Sequence, residues 1–73
     1  MQRALTKEQK LFLVNTLYPE GQQDIANAVI AVMCQGDTVY NAEKQNDLPH
    51  NSLRSKINRV QKQIKLIEQV LNH

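Results

Sequence analysis

Apolar residues recur at helical spacing in four stretches separated by turn signals. Thr6 and Gln9 form a capping box ahead of the first stretch, residues 7–17, where Leu11, Phe12, Leu13, Val14 and Leu17 supply the apolar positions. Tyr18–Pro19 ends that helix, because a residue before proline is pushed out of the helical region. Residues 22–35 read as a second helix. Ile25, Ala26, Ala28, Val29, Ile30, Val32 and Met33 cover most of its circumference, so it is expected at the centre of the fold. Gly36 stands where a left-handed residue closes a helix. Thr38 caps a short third helix, residues 39–45, followed by an Asn46–Asp47 turn, Leu48 as an apolar plug, and Pro49 at a helix start. The fourth helix, from His50 towards Leu71, carries Leu53, Ile57, Val60, Ile64, Ile67 and Leu71 in a heptad seam.

Four helices and no strand signal make the chain all-α, a single domain over residues 1–73. Two glycines, two prolines and three aromatics are too few for a sandwich or barrel, and a hydrophobic fraction of 41% is too rich for disorder. The longest apolar run, residues 28–34, falls far short of the ~20 residues that cross a bilayer. No signal peptide is expected at the Met1–Gln2–Arg3 start. Cys34 has no partner for a disulfide and reads as a small core hydrophobe in a reducing cytoplasm. His50 and His73 are too far apart, with no second cysteine, for the usual zinc spacing, so no metal or other cofactor is expected. A core this small supplies only roughly 3–5 kcal/mol. Self-association is the remaining supplement.

Charge adds a direction. Residues 1–49 sum to −2, whereas residues 50–73 carry Arg54, Lys56, Arg59, Lys62 and Lys65 against Glu68 alone. A basic segment on a weakly charged body suits a polyanion. Residues 37–60 read as a helix, a turn of about four residues and a second helix, a helix-turn-helix extending over about 37–62. Ala42 is small where the two helices must cross, and Leu48, Leu53 and Ile57 pin the second helix. On that helix Asn51, Ser55, Asn58 and Lys62 share one stripe opposite the seam, flanked by Arg54 and Arg59. No acid occurs from residue 48 to 67. A merely solvated face would mix Glu with Lys in i,i+4 pairs. Asn pairs bidentately with adenine and Arg with guanine, while Ser and Lys reach phosphates. The expected DNA-contacting residues are His50, Asn51, Ser52, Arg54, Ser55, Asn58, Arg59 and Lys62, with the first-turn N–H groups offering a further phosphate site. Beyond Val60 the apolar arc widens. Ile64, Leu66, Ile67, Val70 and Leu71 are the expected homodimer contact, the alternative being that they pack back on the first helix.

Residues 36–61 resemble the helix-turn-helix of PapB-type fimbrial regulators. The shared features are Gly36, the small Ala42, the apolar Leu48, Leu53 and Ile57, and the run Ile57–Asn58–Arg59–Val60–Gln61. The N-terminal half is similar to the TrfB family of plasmid repressors, of which KorA is a member, in Leu5–Thr6 and Gly21–Gln22–Gln23. Asn46 replaces the turn glycine of that family. The resemblance implies a bacterial, cytoplasmic, nucleoid- or plasmid-associated transcription regulator. It implies a repressor binding double-stranded operator DNA as a dimer through a recognition helix equivalent to residues 50–62, on an inverted repeat. The competing reading is a small protein-interaction module, an inhibitor or adaptor using the apolar C-terminal helix. No catalytic Ser/His/Asp order, phosphate-binding glycine loop or small-molecule ligand site is evident, so an enzyme is not expected.

Overall fold

A computed structural model describes residues 3–72 as four helices: α1 (Lys7–Leu17), α2 (Gln23–Gln35), α3 (Val39–Gln45) and α4 (Ser52–Leu71). Among the described residues there is no strand, and the chain is all-α. Met1, Gln2 and His73 lie outside the described residues, so the readings of the chain's start and of His73 rest on sequence alone.

Local signals fix most of the boundaries. The Thr6 hydroxyl accepts from Gln9 N at 3.2 Å while the Gln9 side chain accepts from Thr6 N at 2.9 Å, a complete capping box. At the end of α2, Gly36 takes φ +75°, and the N–H groups of Gly36 and Asp37 both donate to Ala31 O. That closure needs a left-handed residue, which glycine adopts at no steric cost. Thr38 caps α3 by accepting from Asn41 N at 3.1 Å.

Helix α2 packs against each of the other three. Ala26, Ala28 and Val29 of α2 are buried against Val14 of α1, Ala42 of α3 and Leu53, Ile57, Val60 and Ile64 of α4. The heptad seam is therefore largely spent inside the monomer. Two expectations are corrected here, and a third is extended. Phe12 is exposed rather than a core neighbour of Val14. Cys34 is only half-buried at the end of α2 and lies outside the core cluster. Tyr18 ends α1 as expected, standing at its C-cap, and is also buried.

Residues 3–5 lie along the last turns of α4. Leu5 N donates to the Glu68 carboxylate at 3.0 Å, and the Asn72 amide clasps the Arg3 backbone, donating to Arg3 O at 2.8 Å. Residues 3–5 are thereby tied to the C-terminal end of α4.

Ala42 is fully buried where α3 meets α2 and α4. Replacing it with leucine adds bulk that a close crossing cannot absorb, so Ala42→Leu should cost about 1–3 kcal/mol. For a domain of this size each kcal/mol lowers the melting temperature by roughly 4–8 °C. A thermal melt followed by circular dichroism checks this, and an unchanged midpoint would refute the close crossing.

Candidate nucleic-acid interface

The connection between α3 and α4 spans residues 46–51, longer than the expected four. Asn46 does not take the left-handed conformation read for a turn glycine. It sits at φ −109° with its side-chain amide donating to Ala42 O at 2.8 Å. The left-handed residues are Asp47 (φ +55°) and Asn51 (φ +65°). Both types tolerate that region because a short polar side chain bonds locally. Leu48 fills its expected place as a plug, half-buried against the core, with its N–H donating to Glu43 O at 2.9 Å.

These turns move the start of α4. Pro49 O accepts from Ser52 N at 3.1 Å and from the Ser52 hydroxyl at 2.7 Å. The 49–52 turn thus precedes the helix, and α4 begins at Ser52 rather than beside Pro49. His50 and Asn51 are exposed turn residues. Asn51, left-handed at the N-cap, does not continue the helical stripe of Ser55, Asn58 and Lys62. Ser52 is half-buried, and its hydroxyl proton is committed to the turn.

The remainder of the stripe holds. Arg54, Ser55, Asn58, Arg59 and Lys62 are all exposed, and Lys65 extends the basic run by another turn. They occupy one side of a helix whose opposite side is buried, so the core fixes which way they point. The Arg59 guanidinium lies 5.9 Å from the centre of the Tyr18 ring, and the ring is itself buried. This cation–π contact restrains a long side chain that would otherwise be free. Lys56 is half-buried, with its ammonium 3.5 Å from Ser52 O, and stands apart from the stripe.

No known protein-family model, curated protein or solved structure matches the chain. Its own geometry therefore carries the reading.

One further residue completes the site, and sequence reasoning missed it. Glu43 on α3 is buried, 3% exposed, and its carboxylate accepts from Leu53 N, the second amide of α4, at 2.9 Å. The first-turn N–H groups expected to bind phosphate are thus partly taken: Ser52 N goes to Pro49 O and Leu53 N to Glu43. A fixed carboxylate at that terminus also opposes an incoming anion.

The expected dimer residues divide. Ile64 is buried in the monomer core and Ile67 packs half-buried against it, so the alternative of packing back applies to both. Leu66, Val70 and Leu71 stay 47%, 76% and 42% exposed. Near them α1 and α4 flank an open groove whose apolar lining is Leu5, Phe12, Leu13, Ile67 and Leu71, with Thr6, Glu8, Gln9 and Thr16 also in its wall. Among the described residues, no group of His, Cys, Asp and Glu is placed to hold a metal ion. No helix among them is long and apolar enough to cross a membrane.

Proposed function

We propose that the protein is a sequence-specific DNA-binding transcriptional regulator, a repressor, that uses α3, the 46–51 turn and α4 as a helix-turn-helix and acts as a homodimer. The observation that carries this reading is the exposed, acid-free stripe of Arg54, Ser55, Asn58, Arg59 and Lys62 on α4. Amides and guanidinium groups are the side chains that read purine edges in the major groove, and lysine neutralises phosphate. The resemblance of residues 36–61 to PapB-type regulators, and of the N-terminal half to the TrfB family, supports the same reading. The exposed Leu66 and Val70 are available to a second copy, and a two-fold dimer calls for an inverted-repeat operator. The open apolar groove beside Phe12 favours the second reading, a protein-interaction module. Retardation of a duplex that weakens steeply with added salt separates the two, because only phosphate contacts release counterions.

The test compares two positions on the stripe. Asn58→Ala should cost about 1–3 kcal/mol on a selected site and relax the preference at one base pair. Lys62→Ala should weaken selected and random duplexes alike and lower the salt slope by about one. Both are measured by titrating labelled duplexes at several salt concentrations. Identical behaviour of the two variants on selected and random DNA would refute the assignment.

A further inference from the structure

Glu43 is the one buried acid among the described residues. A carboxylate taken out of water destabilises a fold unless it is hydrogen-bonded or paired. Here the compensation comes from α4: Leu53 N donates to it at 2.9 Å, and the positive end of a twenty-residue helix dipole lies beside it. The N-cap residue Asn51, left-handed, supplies no side-chain cap of its own, so the cap arrives from a different helix. The backbone of Glu43 acts on the same connection, since its carbonyl accepts from Leu48 N at 2.9 Å. A single residue of α3 therefore holds both the turn and the first turn of α4.

We infer that Glu43 is a positioning residue that fixes the first turn of α4 against α3 and thereby sets which bases α4 reads. The inference rests on the DNA-binding reading for its consequence but not for its geometry. Bidentate base contacts from Arg54 and Asn58 demand a fixed helix position, whereas phosphate contacts from lysine tolerate movement. Loss of the cap should therefore reduce discrimination between sequences more than it reduces binding to any one of them. The carboxylate itself is unhelpful to phosphate binding. Glutamine, which keeps an oxygen acceptor without the charge, should therefore hold discrimination and bind random DNA at least as well.

The experiment has two arms. In the absence of DNA, hydrogen exchange of the Leu53 amide is compared in the unmodified protein, Glu43→Met (similar length, no strong acceptor) and Glu43→Gln. Exchange at Leu53 should rise about tenfold in Glu43→Met relative to the α1 and α2 amides and return close to its original rate in Glu43→Gln. In the second arm, affinities for a duplex selected from random sequence and for unselected duplex are measured at one salt concentration. Their ratio should fall about tenfold in Glu43→Met and recover in Glu43→Gln. Unchanged Leu53 exchange in Glu43→Met, or no recovery with glutamine in either arm, would overturn the proposal. If Glu43→Met does not fold, Glu43→Asp takes its place, retaining the charge but one methylene short of the Leu53 amide, and the same outcomes apply. A protein that binds no duplex at all would refute the DNA reading, while the exchange arm still decides the cap.

Discussion

Leu53→Ala should unfold a large share of the molecules at room temperature. Leu53 is among the largest fully buried side chains in the chain, and it sits at the second position of α4, where α3 and α4 converge on the core. Truncating a buried leucine costs about 2–5 kcal/mol, because lost transfer free energy adds to the cavity left behind. A domain of this size draws only roughly 3–5 kcal/mol from its core, so the loss is of the order of the whole. The site can collapse little: Ala42, Val29 and Val60 around the core are also fully buried, and two of the three are β-branched and stiff. Urea titration followed by helical circular dichroism measures the change. A destabilisation below about 1 kcal/mol would mean that the first turn of α4 is not anchored as described. A change to alanine on the exposed side, Ser55→Ala, removes only an exposed hydroxyl that donates to Ser52 O at 3.2 Å and should leave the midpoint almost unmoved.

What the sequence discloses about this fold is what depends on neighbours a few residues away. Thr6 with Gln9, Gly36 and Thr38 each act through bonds closed within six residues, and each is legible from spacing alone. The α4 seam is legible for the same reason, since a helix has one period and the core must lie along it. Glu43 is different. Its neighbours Lys44 and Asn41 mark α3 as a polar helix, and only the approach of α4 turns that one carboxylate inward to Leu53 N. Tyr18 likewise reads as the residue that ends α1, while its burial and its contact with Arg59 belong to the packing of α1 on α4. Pro49 suits a first helical turn by its φ and so points to a helix start one turn ahead of Ser52, where α4 begins. The serine hydroxyl three residues on bonds back to Pro49 O and builds a separate turn instead. For the candidate site this means that the centre of the stripe, Arg54 to Lys62, follows from periodicity, and its N-terminal edge does not.

Replacing both Leu66 and Val70 with aspartate should give a monomer with an unaltered fold and a greatly weakened hold on a palindromic site. Both side chains are exposed and lie one turn apart on α4, so their removal from the surface leaves no cavity. Ile64 and Ile67 are unsuitable for this test, because they are part of the monomer's packing. A second copy laid on Leu66 and Val70 buries two large aliphatic side chains from each partner, at roughly 1.5–3 kcal/mol per fully buried side chain. The geometry suits two adjacent grooves. The base-reading segment Arg54–Asn58 is centred twelve residues, or about 18 Å at 1.5 Å per residue, from the midpoint of Leu66 and Val70, so a two-fold axis at that midpoint would set the reading segments up to about 36 Å apart. Adjacent major grooves on one side of the duplex repeat at about 34–36 Å. Much more overlap between the tails would leave the recognition segments too close to reach both. Joining two half-sites in this way raises affinity by about 10²–10⁴ over a single one, and the aspartate pair should forfeit that factor while keeping the half-site preference. Sedimentation of the unmodified protein and the variant, with and without duplex, measures the association directly. An unmodified chain that sediments as a monomer at tens of micromolar in both conditions would refute the dimer.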